Sequence, residues 1–150
     1  AAARGHRVTL CERAPRTGGQ VRVAASAPGK AEFGNPTRDL LAECRRRGVE
    51  IRTGVEVAPA TVDVIGPDVV VLATGSRPTG PAWAPVPRLA HTQTPTRGGS
   101  AYDWVVCTPE DGLWHALAGT GVAVHRIGDR LAPCRAHAAI SEGERVAVAL

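Results

Sequence analysis

The stretch Asp68-Val69-Val70-Val71-Leu72-Ala73-Thr74-Gly75-Ser76-Arg77-Pro78 constrains the fold more than any other part of the chain. Its unbroken apolar, mostly β-branched run predicts a strand over Asp68–Ala73 that is covered on both faces. That is the pattern of a central strand in a parallel sheet lined by helices. Gly75 lets the backbone turn sharply where a Cβ would clash. Pro78 is expected to end regular structure.

Upstream, Gly5-His6-Arg7-Val8-Thr9-Leu10-Cys11-Glu12 reads as a helix end followed by a strand over 7–12 that finishes on a carboxylate. In dinucleotide-binding folds an acid at the end of the second strand accepts hydrogen bonds from the adenosine ribose. A carboxylate suits that task because it is acceptor-only and takes two hydroxyl donors. A loop with Gly18-Gly19-Gln20 and Pro28-Gly29 follows. Asn35 reads as an N-cap with Pro36 at the first helical position. The helix is expected to run to about Arg47, with Leu40, Leu41 and Cys44 on one apolar face and Gly48 as its stop. Val49–Arg52 is the next strand. Val55-Glu56-Val57 and Thr61-Val62-Asp63-Val64 read as short edge strands. Asp103–Cys107 is a further strand, Gly112–Leu117 a short helix, and Val122–Ile127 the last strand, leading into Gly128-Asp129. Ala136, Ala139, Ile140, Gly143, Val146, Ala147 and Leu150 then recur at helical spacing and make a small-residue face suited to close packing.

Composition narrows the function classes. A length of 150 residues suits one ordinary domain. With one Phe and one Tyr, the core must rest on Val, Leu, Ile and Ala. The net charge of +4 is carried almost wholly by arginine, and Lys30 is the only lysine. This Arg and Ala usage suggests a GC-rich bacterial genome. The one basic run, Arg45-Arg46-Arg47, falls in the last turn of a helix, where cations complement the dipole. A nucleic-acid partner is therefore not expected. No apolar run reaches membrane-spanning length and no secretory signal is read, so a cytoplasmic setting is expected. Cys11, Cys44, Cys107 and Cys134 are scattered, with no Cys-x-x-Cys pair for a redox disulfide or zinc. Cys11, Cys44 and Cys107 read as small buried hydrophobes. Cys134 sits near a helix start, where a thiolate would be stabilised, although packing is favoured there too. His6, His91, His115, His125 and His137 lack metal-ligand spacing, and no nucleophile–base set stands out. No catalytic residue and no metal site are assigned.

In this order, the pieces resemble the flavin-binding half of the glutathione-reductase-like fold. They are most similar to the C-terminal region of the old-yellow-enzyme-like NADH:flavin oxidoreductases, the family of 2,4-dienoyl-CoA reductase and trimethylamine dehydrogenase. The likeness is carried by Gly19-Gln20, Ala27-Pro28-Gly29-Lys30-Ala31-Glu32-Phe33, Leu40-Leu41, Arg47-Gly48-Val49-Glu50, Ala73-Thr74-Gly75 and Ile127-Gly128-Asp129. The tail from Ala132-Pro133-Cys134-Arg135 to Gly143 fits as well. It implies an α/β chain, a partial Rossmann-like FAD-binding domain with a parallel sheet. Residues 1–78 would be its first part and 103–150 its last. The Pro-, Gly- and Thr-rich residues 79–102 would be a linker where the family carries its nicotinamide-binding domain. They are too few for a βαβ unit, which needs about 30 residues. The family's first strand and Gly-x-Gly-x-x-Gly loop are expected before residue 1, so the chain reads as truncated.

The same resemblance implies a cofactor site. Glu12 would hold the adenosine ribose, with Arg13 flanking the adenine or a phosphate. Gly18, Gly19 and Gln20 would run beside the pyrophosphate and ribityl chain. Thr74 and Gly75 would mark the chain crossing past the dinucleotide. Gly128 would allow close backbone approach, and Asp129 would meet the ribityl or pyrophosphate region. The N-terminus of the last helix would face the flavin's pyrimidine edge. The implied cofactor is FAD, or its ADP moiety. NAD(P)H, FMN and an iron–sulfur cluster would enter only through regions outside these residues. A separate chain carrying the barrel and the Gly-rich loop is the implied partner. The implied function is a part of an FAD-dependent, NAD(P)H-linked, 2,4-dienoyl-CoA reductase-like oxidoreductase, inactive by itself. The alternative is a non-catalytic remnant or interaction module that keeps the fold without a cofactor.

Overall fold

The computed structural model describes residues 1–79, 106–109, 111–128 and 136–150. The described residues form two units, 1–56 on one side and 57–79, 106–109, 111–128 and 136–150 on the other. Both are α/β.

The first unit opens with a 3-10 turn, Ala2–Arg4, closed by Gly5 in the left-handed region. Strand β1 (Thr9–Glu12) follows, then helix α1 (Gly19–Ala25), a 3-10 turn (Ala31–Gly34), helix α2 (Asn35–Arg46) and strand β2 (Glu50–Thr53). β1 and β2 are parallel, in the register Thr9↔Glu50 to Glu12↔Thr53. Parallel strands need a long crossover, and α2 supplies it. α2 begins one residue earlier than the sequence suggests. Gly34 occupies the cap, Asn35 is already helical, and no side chain caps the N-terminus. Pro36 still sits in the first turn, where its missing N–H costs nothing. The apolar face is narrower than expected. Leu41 and Cys44 are half-buried, while Leu40 stays 50% exposed. Residues 19–25, read as a loop, fold into α1 instead, with Gly18 as its cap. Its Ser26 hydroxyl donates to the Val23 carbonyl at 2.7 Å, and the helix packs on the Ala31–Gly34 turn. That packing favours a short helix whose own sequence lacks start and stop signals.

The second unit holds α3 (Pro59–Ile65), β3 (Val69–Leu72), β4 (Ser76–Thr79), β5 (Val106–Pro109), α4 (Gly112–Leu117), β6 (Ala123–Arg126) and α5 (Ala136–Ala149). β3 and β6 are parallel, Val69↔Ala123 to Leu72↔Arg126, while β4 and β5 pair antiparallel. The short helix at Gly112–Leu117, the last strand and the last helix match the sequence reading. Four expectations do not. Val55-Glu56-Val57 forms no strand. Thr61–Val64 is part of a helix, because Pro59 starts it and Gly66 stops it. The Thr61 hydroxyl also accepts the Ala58 N–H at 3.2 Å, so the ends outweigh the β-branched alternation between them. Pro78 does not end regular structure but lies within β4, a two-stranded pair in which a residue without an N–H is tolerated. Strand β3 is not covered on both faces, since Leu72 is 3% exposed but Val71 is 41% exposed. An apolar run is suited to burial on both sides, but only neighbouring elements supply the cover.

The fully buried apolar side chains among the described residues are Val62 of α3, Leu72 of β3 and Leu117 of α4. α3 and α4 touch. No described residue of the first unit is fully buried. The expectation of buried cysteines is met halfway. Cys11 and Cys44 are half-buried free thiols, Cys107 lies in β5, and Cys134 is outside the described residues. At the end of α2, Glu43 accepts from Arg47 Nε at 2.6 Å and from Arg46 Nη2.

Two outcomes test this account. Leu72→Ala should lower unfolding free energy by about 2–5 kcal/mol, read by urea denaturation. The Arg47 hydrogen bond, then the one from Arg46, holds the Glu43 carboxyl below its ordinary value. A depressed folded pKa means that this support is complete above the usual glutamate range, near pH ~4.3, and is lost as pH falls through the folded value. The helical circular-dichroism signal should therefore show an acid-side loss that Glu43→Gln lacks, and that salt diminishes because the pair is exposed.

Candidate functional site

Open α/β sheets bind ligands beyond the carboxyl ends of their strands. The expected residues gather at those ends in both units. In the first, Glu12 closes β1 opposite Thr53. It is half-buried. Its Oε1 accepts the Ala14 N–H at 2.8 Å, and its backbone carbonyl accepts the Val55 N–H at 3.0 Å. Gly54 N–H donates to the Ala14 carbonyl at 3.0 Å, tying the two strand exits together. Oε1 is thus spent on the loop, while Oε2 has no hydrogen-bond partner among the described residues. Arg13 lies 3.7 Å from Glu56, both side chains being mainly exposed.

Gly18 and Gly19 open α1 with φ of 109° and 42°. Gly18 also answers to a close approach. A Cβ there would stand 2.9 Å from Arg22 Cγ and 3.0 Å from Thr37 Cγ2. Gln20, half-buried, is the second residue of α1.

In the second unit, Ala73-Thr74-Gly75 leaves the end of β3, and Gly75 turns there with φ of 75°. The Ile127 N–H donates to the Leu72 carbonyl at 3.1 Å. The chain therefore leaves β3 and β6 at the same end of the pair. Thr74 is exposed and Gly128 buried. Gly128 has φ of 65°, and a Cβ would meet the Ala139 Cβ at 3.1 Å. Its N–H donates to Glu142 Oε2 at 2.6 Å. Glu142 is a residue that sequence reasoning assigned no role. Its signal was available: a lone acid on the small-residue face of α5, next to Gly143, whose own Cβ would touch Ile127 Cδ1 at 3.5 Å. The small face packs against the strand exit as expected, and Glu142 anchors it. Asp129 and the residues just before Ala136 lie outside the described residues.

The sequence-predicted residues thus form two described groups, Glu12 to Gln20 in one unit and Thr74, Gly75 and Gly128 in the other. A cavity of about 760 Å³ also lies in the first unit, and neither Glu12 nor Gly18, Gly19 and Gln20 line it. No group of three or more His, Cys, Asp or Glu able to hold a metal occurs among the described residues. No helix among them is long and apolar enough to cross a membrane.

Parallel strand pairs, with a carboxylate and glycine turns at their carboxyl ends, define a partial Rossmann-like α/β fold. No family model matches the chain. An NADH oxidase of Thermoanaerobacter brockii is 48% identical over 82 residues, covering 54% of this chain and 12% of that protein. An N,N-dimethylglycine/sarcosine dehydrogenase of Chromohalobacter salexigens is 45% identical over 78 residues, covering 52% of this chain and 11% of that one. A solved 2-naphthoyl-CoA reductase, in complex with 2-naphthoyl-CoA, superposes with a TM-score of 0.52 at 30% identity, over 55% of this chain and 12% of that chain. Over about half its length, then, the chain is related to oxidoreductases, and its likeness to the NADH:flavin oxidoreductase and 2,4-dienoyl-CoA reductase-like family holds. It spans only about an eighth of the relatives it matches.

The Gly128 geometry carries a prediction. Gly128→Ala forces a left-handed residue against Ala139 and should destabilise the protein by about 1–3 kcal/mol, read by thermal or urea unfolding.

Proposed function

We propose that this chain is the adenine-dinucleotide-binding part of an FAD-dependent, NAD(P)H-linked oxidoreductase, similar to the 2,4-dienoyl-CoA reductases. One observation carries the reading. Glu12 stands half-buried at the carboxyl end of a parallel strand, with one oxygen fixed by the Ala14 N–H and the other without a described partner. A carboxylate held in that way accepts from a ribose hydroxyl without reorganising. The group fits the residues present.

Glu12 would hold the ribose. The Arg13 guanidinium would lie toward the adenine or a phosphate, and the backbone of Gly18 and Gly19, beside Gln20, would follow the pyrophosphate. Thr74, Gly75, Gly128 and Asp129 are the further proposed cofactor contacts, with Glu142 keeping the Gly128 backbone in place. When bound, the flavin supplies the redox chemistry by taking hydride from a nicotinamide. The protein's part is orientation and electrostatics. No side chain here is assigned a proton transfer. The nicotinamide domain, FMN, the iron–sulfur cluster and the substrate belong to other regions, in the same chain or a partner chain in the cytoplasm.

A second reading, a fold retained without cofactor, draws on the same residue. The Ala14 N–H contact by itself gives Glu12 a structural task. The two separate on a titration of ADP into the chain by calorimetry, where the ratio of affinities is the readout. Glu12→Ala should weaken ADP by about 1.5–3 kcal/mol, the loss of hydrogen bonds to a charged acceptor. Equal affinity in the variant would leave Glu12 with the loop alone and the cofactor reading without its anchor.

A further inference from the structure

The cavity in the first unit has a chemistry of its own. It lies between the loop after β1, helix α1, helix α2 and strand β2, and its volume of about 760 Å³ is in the range of small-ligand sites. Four arginines line it, Arg16, Arg22, Arg38 and Arg45, together with Thr17 and Thr37, and no carboxylate does. Arg38 is paired with Asp39 at 3.3 Å. Arg16, Arg22 and Arg45 have no ion pair or hydrogen bond among the described residues.

The fold gathers these cations from distant places in sequence. Thr37, Arg38 and Arg45 share one face of α2, since eight residues span just over two turns. Arg22 comes from α1, and its Cγ and the Thr37 Cγ2 lie 2.9 and 3.0 Å from where a Cβ on Gly18 would stand. Arg16 comes from the loop. The Arg45-Arg46-Arg47 run is divided by this arrangement. Glu43 engages Arg46 and Arg47, so neither is free, while Arg45 turns to the cavity without a counter-charge. Three unneutralised guanidiniums around one concavity repel one another and raise the local positive potential. Guanidinium forks match phosphate oxygens in pairs.

We propose that this cavity binds a small phosphorylated anion, held by Arg16, Arg22 and Arg45 with the hydroxyls of Thr17 and Thr37 as neutral donors. The site adjoins Gly18 of the proposed dinucleotide loop, with Thr17 beside it and Arg22 and Thr37 packed against it, but Glu12, Gly18, Gly19 and Gln20 do not line it.

The probe is inorganic pyrophosphate, titrated into the full 150-residue chain by calorimetry at low salt. Arg22→Gln with Arg45→Gln should weaken binding about tenfold or more, as expected for lost charge-assisted bonds. Arg46→Gln with Arg47→Gln, which removes the same charge outside the cavity, should change it less than about twofold. Circular dichroism checks that each variant is folded. If the first pair does not fold, Arg16→Gln, on an exposed loop, should still weaken binding about threefold or more. ADP separates the sources. Equal affinity for ADP and pyrophosphate means that free phosphate groups are read, and tighter ADP, still lost with Arg22 and Arg45, means the phosphate end of a nucleotide. The proposal is overturned if pyrophosphate does not bind. Equal losses in both double variants, or tighter binding of a single-stranded oligonucleotide than of either probe, would overturn it too.

Discussion

Parallel strand pairing is the constraint on which the other features hang. Two parallel strands cannot be closed by a tight turn, so the chain must cross back along its full length before it can pair. Between β1 and β2 that return is made by α1, a 3-10 turn and α2. The consequence is that both strands end on the same side. Glu12 faces Thr53 at one such end, and Leu72 faces Arg126 at the other. A register slip of one residue would turn every side chain to the opposite face. It would then carry Glu12 away from Thr53 and from the Val55 N–H that its carbonyl accepts.

The second anchor is steric. The Gly128 backbone is held from two sides, by the Glu142 carboxylate and by the nearness of Ala139. Helix α5 can approach the exit of β6 so closely only because its facing positions are small. The hydrogen bond to Glu142 then satisfies a buried N–H that would otherwise be costly to leave unpaired. A glycine turn at a strand end becomes a fixed surface in this way, which is what a bound dinucleotide would need.

Charge is distributed with similar economy of means. Arginine supplies nearly all of the positive balance, yet neighbouring arginines differ in what they do. Arg46 and Arg47 close the end of α2 through Glu43, whereas Arg45 faces the cavity with Arg16 and Arg22. A guanidinium beside a carboxylate one turn away is largely neutralised. The same group one position earlier has no ion pair among the described residues.

Much of this could be read from residues alone, where the signal is local. The strand ending on Glu12, the helix started near Pro36 and stopped near Gly48, the glycine turns at 75 and 128, and the small face of α5 are all written in spacing and residue type. The resemblance to the NADH:flavin oxidoreductases rested on those pieces, and the relatives support it over about half the chain. Where the reading failed, a non-local term decided. Thr61–Val64 looks like a strand until its end residues are weighed together with the burial of Val62 between helices and the exposure of Val64. α1 forms because the Ala31–Gly34 turn packs on it, not because of any signal of its own. Leu40 and Val71 are apolar yet exposed, because a side chain's preference for burial does not provide the neighbour that buries it. The sequence by itself determined the α/β class, the strand ends and the candidate carboxylate. Only tertiary contacts decided that Glu142 holds Gly128 and that three scattered arginines meet in one cavity. Such pairings depend on which faces the crossovers bring together, and no local pattern of residues records that.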